Sequence, residues 1–375
     1  MVAPLPTSGT VGQYAFDQTK VLDHAFRRAG LAAEMASVES LIIAQGLLVS
    51  VLAEWCNAGF PLWTRENVVL GPTLGGSDIA TPYGTVDVIH AYWRNLNPWR
   101  GAANTTAGAD CSVLFGGAPN ADVTIAGPNP GVIVSFGSAT EVDTVGVLLG
   151  TSSAVTAALQ VYISSDGVAW TLAQTLPSAT YTTGQWTYFD LNPTINGAYV
   201  KLVLPGVTGW TLNQVNFGLA NASDIMMGVL NIDDYYNLPN KFFQAPQAVS
   251  MFVDRQLNAP VLKIWPTLNI NGFYNGVIPV LLRRYIQDPG AMTDAVEVPT
   301  RALEALIWRL ASMLIHEIPD TTDQASQASY FNLMAKQQKI QLLESKAAKA
   351  EALLWAEERT KAPIRIVPGI GVYTK

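Results

Sequence analysis

Between Arg100 and about Ala222 the chain changes character, and that change limits its fold more than any other feature. Charges thin out. Gly, Thr, Ser, Asn and Val dominate, and short alternating runs recur: VTIAGP, GVIVSFG, VDTVGVLLG, LQVYISSDG, WTLAQTL, WTYFDL and AYVKLVLPG. Runs spaced by roughly 10 to 20 residues, with turn residues between them, are the pattern of an all-β sandwich. Asp166-Gly167 within SSDGVAW reads as a two-residue hairpin turn. The chain leaves its core near Trp99 and returns near Asp224, so residues 100–222 are expected to be an insertion. The ends of a sandwich lie close enough together for a host to tolerate one.

The flanks read differently. Asp17 to Gly30 is a predicted helix, with Asp17 near its N-cap, Gly30 as its stop, and Val21, Leu22, Ala25 and Phe26 on one face. Ser37 caps a second helix whose apolar stripe is expected to hold Val38, Leu41, Ile42, Gln45, Leu48, Val49, Leu52 and Trp55. The two should form an antiparallel hairpin. Leu41 to Trp55 is shorter than the ~20 residues a membrane span needs, so it reads as a buried helix. NVVLGP and GTVDVIHAYWRN follow as strands. Further on, Pro299 opens a helix through His316 with Leu303, Leu306, Ile307, Leu310 and Leu314 on one face. A last helix is expected from about Thr322 to Lys361, with Ile340, Leu343, Ala347, Ala350 and Leu354 at near-heptad spacing.

Between sandwich and helices lies NIDDYYNLPNKFFQAPQAVSMFVDRQLNAPVLKIWP, Asn231 to Pro266. Ala259 to Trp265 alternates as a half-buried strand, and Pro266 ends it by removing a ladder donor. Tyr235, Tyr236, Lys241, Trp265 and Pro266 are expected at a core or subunit contact.

Two resemblances follow from these runs. DDYYNLPNK, the VDRQ run and LKIWP look like the middle of the head-to-tail adaptor proteins of tailed bacteriophages. FRRAGL with LLVSVLAEWCNAGFPLW, then RRYIQDPGAMTDAVEVPTRALEALIWRLA and APIRIVPGIGVYTK, occur in that family's order. The insertion resembles discoidin-like (coagulation factor type C) jelly rolls, on GVIVSFG, VYISSDGVAWTLA and AYVKLVLPG. Together they imply an α+β chain: a helical adaptor core with a small β element and a long C-terminal helix, plus an inserted all-β jelly-roll sandwich. The implied parts are a core at 1–99 and 223–361, the sandwich at 100–222, and an extended docking tail at 362–375.

The adaptor resemblance implies a structural virion protein in the tail or neck, assembled in the bacterial cytoplasm. It implies a homo-oligomeric ring, usually of twelve copies, between the portal protein and the next tail protein (nozzle or tail tube). Double-stranded DNA would pass through the lumen without specific binding, and no membrane is implied. A net charge of -7 fits such a lumen, because broad phosphate binding needs a basic stripe. Ile364, Ile366, Pro368, Ile370, Val372 and Tyr373 are the residues expected to dock on the portal, as an extended segment laid on another chain.

Catalysis is not expected. The sequence has no nucleophile elbow, P-loop, Rossmann fingerprint or H-E-x-x-H helix, and its three histidines are too far apart for metal-ligand spacing. Asp233-Asp234 is the one adjacent carboxylate pair of interest, and neighbours on a strand or turn point apart. No cofactor is expected. Cys56 and Cys111 make no disulfide framework. Two other functions compete with the ring: a cell-wall-degrading tail hydrolase, and a glycan-binding tail protein acting through the sandwich. Some discoidin-like domains bind sugars or lipid headgroups through loops at one end. Trp99, Trp186 and Trp210 are the candidate sugar platforms, against a plainer role as core or edge aromatics.

Overall fold

The computed structural model describes residues 16–31, 37–59, 62–96, 98–117, 122–151, 154–219, 223–288, 290–318 and 330–358. The chain begins with helices α1 (Gln18–Ala29) and α2 (Val38–Ala58). Strands β1 (Arg65–Leu70), β2 (Asp78–Ala80) and β3 (Thr85–Asn95) lead into the charge-poor region. That region holds β4 (Ala103–Thr105), β5 (Val123–Ala126), β6 (Gly131–Leu149), β7 (Val155–Ser164), β8 (Thr171–Tyr181), β9 (Trp186–Val203) and β10 (Gly209–Leu219). The return path has β11 (Asp224–Met226), β12 (Gly228–Val229), α3 (Ile232–Tyr236), β13 (Gln244–Ala245), β14 (Ser250–Asp254), β15 (Val261–Trp265) and β16 (Thr267–Leu268). It closes with α4 (Ile270–Asn275) and β17 (Gly276–Arg284), before α5 (Thr300–Glu317) and α6 (Tyr330–Glu358). Contacts divide the chain into two compact units: residues up to Arg65 together with those from Tyr285 onward, and Glu66–Arg284.

The first unit is helical. Asp17 caps α1 by accepting from the Lys20 N–H, and Gly30 ends it in the left-handed region at φ 74°, where a side chain would be strained. Ser37 caps α2 in the same way. The central helix is α5, buried on several sides by Ala302, Leu306, Leu310, Ala311 and Leu314. Both α1 and α2 pack on α5, which replaces the expected α1–α2 hairpin. A helix that is apolar all round can satisfy more than one neighbour, so sequence order does not decide its partner. The expected stripe on α2 is also rotated. Ser40, Ala44, Leu48, Val51, Leu52, Trp55 and Cys56 are buried, while Val38, Ile42 and Val49 face out. On α6 the expected positions do pack inward: Leu343, Ala347 and Leu354 are buried, with Ile340 and Ala350 against the same core. The described helix has 29 residues, and the rest of the expected span lies outside the described residues.

The second unit has a base and a sandwich. The base pairs two four-stranded sheets, β1-β17-β3-β11 and β12-β14-β15-β2, around Ile79, Trp93, Met251, Leu262, Ile264 and Ile278. This is more than the small β element expected. Most of the strands missed are two to five residues long, too short for a periodicity to register, and the nine-residue β17 is buried along most of its length and so does not alternate.

In the sandwich the strand order is β5-β10-β6-β9-β7-β8, with β4 also on β6. The β6–β9 ladder shifts register between Ser135 and Thr140, dividing each long strand into two stretches. Phe115, Val132, Val145, Val161, Leu202 and Phe217 belong to its core. The expected two-residue turn at Asp166-Gly167 is a longer connection between Ser164 and Thr171. Side chains explain it. Ser164 Oγ accepts from the Asp166 and Gly167 N–H groups, and Asp166 Oδ1 accepts from those of Val168 and Ala169. These bonds hold the wider loop in place of a tight turn.

Candidate functional site

One end of the sandwich is made by three loops tied together through their backbones. Asn129 sits in the left-handed region at φ 52°. Its N–H donates to Val207 O at 3.0 Å, and its Oδ1 accepts from the Gly206 N–H at 2.9 Å. Gly127 N–H donates to Thr208 O, and Thr106 N–H to Gly131 O. The loops at 106–110, 127–130 and 205–208 therefore form one pre-ordered rim. Thr106, Asp110, Asn129 and Thr208 are exposed on it. Asp110 lies below the usual carboxylate range because the Ser112 hydroxyl and N–H donate to it.

A different part of the sandwich is fixed to the base. Leu148, Trp186 and Tyr188 pack with Val69, Leu96, Phe273, Tyr274 and Val277 of the base. Trp186 stacks on Tyr188 with ring centroids 4.9 Å apart. Arg94 of β3 donates to Asp224 at 2.6 Å and to Asp190 of β9 at 3.0 Å. Hydrogen bonding to Asp224 holds its guanidinium above the ordinary arginine value, while burial raises Asp190. Arg100 bridges Asn216 and Asn275, and Asn216 donates to the Tyr188 hydroxyl and the Tyr274 carbonyl. None of these residues belongs to the three-loop rim, so the junction leaves the rim uncovered.

The three tryptophans weighed as sugar platforms all take the plainer role. Trp186 is in the junction, and Trp210 is buried edge-on to Tyr181. Trp99 packs edge-on to Phe115 and Phe136. The half-buried rings of Tyr162 and Trp170 are covered by Lys201, whose Nζ stands 4.7 and 4.5 Å from their centroids. Burial holds that ammonium below the ordinary lysine value. Recognition at the rim would therefore rely on hydrogen bonds more than on stacking.

The base carries the second set of expected residues. Asn231 caps the short α3, so Asp233 and Asp234 lie in its first turn. Tyr235 is buried and stacks on Phe252 at 5.2 Å, and Tyr236 is exposed. Lys241 lies over both rings, at 5.7 and 4.6 Å. Pro266 is buried. Trp265, expected at a core or subunit contact, is half-exposed, and its N–H donates to Asn240 O at 3.0 Å. Alternation put Leu262 and Ile264 inside, so their neighbour had to face the other way. Around this stretch Val229, Ile232, Tyr236, Phe242, Phe243 and Val249 are exposed, Phe242 by 82%. Ile364, Ile366, Pro368, Ile370, Val372 and Tyr373 lie outside the described residues.

Among the described residues no group of His, Cys, Asp and Glu could hold a metal ion. His316 is half-exposed at the end of α5, 3.3 Å from Glu344. Cys56 and Cys111 are buried and form no disulfide, and burial pushes the Cys111 thiol up to about 12.

Residues 117–216 match the F5/8 type C domain. The chain carries an F5/8 type C β-sandwich. No curated protein matches the chain in sequence. Among solved structures, a family 32 carbohydrate-binding module from Clostridium perfringens NanJ, in complex with galactose, is similar at 15% identity and a TM-score of 0.25. It aligns over 31% of this chain and 90% of its own. A chitosan-binding module from Paenibacillus sp. IK-5 aligns at 19% identity over 33% and 96%, with a TM-score of 0.26. A pectin-binding module aligns at 11% identity over 33% and 94%, with a TM-score of 0.28.

Sequence reasoning found the F5/8 type C domain but not its anchoring. Arg94 and Asn216 lie inside strands and Arg100 in the segment between β3 and β4, and only the folded neighbours give them partners. Two signals were present: a lone arginine inside the GTVDVIHAYWRN strand, and aromatic Trp186 and Tyr188 on one side of an alternating run.

Proposed function

We propose that this protein is a non-catalytic carrier of a glycan-recognition module. The F5/8 type C sandwich is the recognition part. The base holds it in place. The observation that carries this reading is the sandwich's attachment: a buried junction on one surface, and a separate pre-ordered rim of exposed polar loops. Sugar hydroxyls are matched by such groups, and Thr106, Asn129 and Thr208 offer donors and acceptors on a backbone already fixed. Solved modules of similar description are named for galactose, chitosan and pectin, which supports testing neutral, basic and acidic glycans together. The test is a glycan array probed with the full chain. Binding to a defined glycan class, lost on replacing Asn129 and Thr208 by alanine with folding intact, is the expected result. Silence across the array would remove the proposal.

A second reading is compatible with the first, and a specific observation favours it. The exposed apolar face at Val229, Ile232, Tyr236, Phe242, Phe243 and Val249 falls in the stretch that resembles phage head-to-tail adaptors. Large apolar side chains left exposed this densely along one stretch of chain suit a protein partner. On this reading the protein is a virion subunit, in a ring that joins the portal to the next tail protein and continues the DNA channel. The 362–375 segment would dock on the portal. Mass measurement of the assembly, alone and with portal protein, tests it. A mass that stays that of a single chain in both cases would exclude the ring.

A further inference from the structure

We infer that the rim takes glycans with free amino groups, in preference to uronic-acid glycans and to the N-acetylated forms of the same sugars, and that the Asp110 carboxylate receives the ammonium. The inference rests on the rim being the glycan site proposed above, and adds the class of sugar.

The charges of the sandwich are one-sided. Residues 101–222 contain a single base, Lys201, and no histidine, against the acids Asp110, Asp122, Glu141, Asp143, Asp166 and Asp190. Lys201 is not offered to the rim. Its ammonium lies over the rings of Tyr162 and Trp170. The β7–β9 ladder runs from Gln160 opposite Val203 to Ser164 opposite Tyr199. Val203 leads into the 205–208 loop, whereas Ser164 leads into the connection that carries Trp170, so the ammonium is drawn toward the far end of the ladder. Arg100, just before the sandwich, is held by Asn216 and Asn275. The loops 106–110, 127–130 and 205–208 themselves contain no base and no aromatic residue. A uronic acid would therefore meet no cation there, and an exposed carboxylate instead, a like-charge contact that works against it.

Asp110 is set up for the opposite charge. Thr105 Oγ1 accepts from the Ala109 N–H, the Gly108 N–H donates to Thr105 O, and the Cys111 N–H donates to Ala103 O. The hairpin that carries Asp110 is thus fixed before a ligand arrives. Asp110 Oδ1 accepts from the N–H and the hydroxyl of Ser112, which orients the carboxylate and keeps it ionised in mild acid. The side chain is exposed, and its Oδ2 has no hydrogen-bond partner among the described residues. Three of the other acids are already engaged: Asp190 by Arg94, Asp166 by the N–H groups of its own loop, and Asp122 by Thr151 and Asn213. A hydrogen bond between ammonium and carboxylate is roughly twice as strong as one between neutral groups. On a rim with no ring to stack on, that bond separates a free amine from its acetylated form.

The test is isothermal titration of the full chain in mild acid, where the sugar amine is protonated. The probes are chitosan, chitin and galacturonate oligomers of equal length. Chitosan should bind at least tenfold more tightly than chitin, galacturonate should bind weakest, and added salt should shrink the lead over chitin. In Asp110→Asn the amide oxygen can still accept from Ser112, and the ratio of chitosan to chitin affinity should fall to about one. Glu141→Gln removes an exposed carboxylate of β6, opposite Asn196 and off the rim, and should keep the ratio. Equal binding of chitosan and chitin, tighter binding of galacturonate, a ratio untouched by Asp110→Asn, or an equal loss in Glu141→Gln would each overturn the inference while glycan binding stands. Binding of none of the three, with another sugar bound on the array, would do the same. Silence toward every glycan would remove the proposed function and this inference with it.

Discussion

In the F5/8 type C sandwich the large apolar side chains go inward. Among its described residues only Val113, Val168 and Leu172 are large, apolar and exposed. In the helical unit, α2 turns Leu48, Val51 and Trp55 inward and still leaves Val38, Ile42 and Val49 outside. Both regions have well-filled cores, yet they treat their surfaces in opposite ways. A sandwich strand alternates, so each apolar position is assigned to one face and polar residues take the other. A helix that is apolar all round has no polar side to present and has to be covered by something else. The sandwich thus hides its large apolar side chains, while the helical unit leaves several of its own exposed.

The sharpest way to break this contrast is to compare one residue from each region. Phe217 is fully buried against Phe115 in the sandwich, and Phe217→Ala should cost about 3–5 kcal/mol in urea denaturation. Ile42→Ala should stay within about 0.5 kcal/mol, because its side chain is already outside. Equal losses would mean that α2 is covered within its own chain and that the contrast is false.

The next effect concerns the anchoring of the sandwich. Arg94→Leu leaves Asp190 and Asp224 without their cation. Both carboxylates are more than a third exposed, so water screens part of the loss, and about 2 kcal/mol is expected. Limited proteolysis should then cut near Pro98 or Leu219, which it spares in the wild type. Resistance equal to the wild type would show that the apolar cluster of Trp186, Tyr188 and Tyr274 suffices alone.

How far the sequence disclosed this division depends on the element. Caps were readable because they are local: Asp17, Ser37 and Pro299 each act within a turn or two of themselves. The buried face of α6 was readable because Lys and Glu separate its apolar positions. The buried face of α2 was not, since a stripe cannot be seen where nearly every position is apolar. The sandwich strands showed by alternation, and β1, β3 and β15 of the base were read as strands too, whereas β2, β11 and β12 were too short to show. The loop at Asp166 went unread because two side chains, Ser164 and Asp166, replace the bonds that a tight turn would make. At the candidate site, the domain was legible and the residues were not. Which loop end is free depends on where Arg94, Arg100 and Trp186 attach, and that is settled by partners distant in sequence.

Smaller effects refine the comparison. Trp265→Ala should cost only about 1 kcal/mol, from partial burial and one hydrogen bond, measured by thermal denaturation. A loss as large as that of Phe217→Ala would put the indole back in a core. The least effect is expected at Asp122, whose carboxylate accepts from the Thr151 hydroxyl, the Thr151 N–H and Asn213. Those bonds hold it below the ordinary value of 3.8. A carboxylate lowered on folding stabilises above its unfolded value and loses that contribution as pH falls through its folded value. Melting of the wild type should therefore decline with acid below that ordinary value, and Asp122→Asn should decline less. Parallel declines would show that the carboxylate is free in solution.

The account depends most on the claim that the sandwich recognises glycans and the base does not. Its direct measurement is glycan binding by the full chain, by the Asn129→Ala/Thr208→Ala variant, and by Phe242→Ser in the base. The prediction is binding to one glycan class by the wild type, at least a tenfold loss in the loop variant with cooperative unfolding retained, and no change in Phe242→Ser. Absence of glycan binding by the wild type, or loss in Phe242→Ser with the loop variant unaffected, would contradict it.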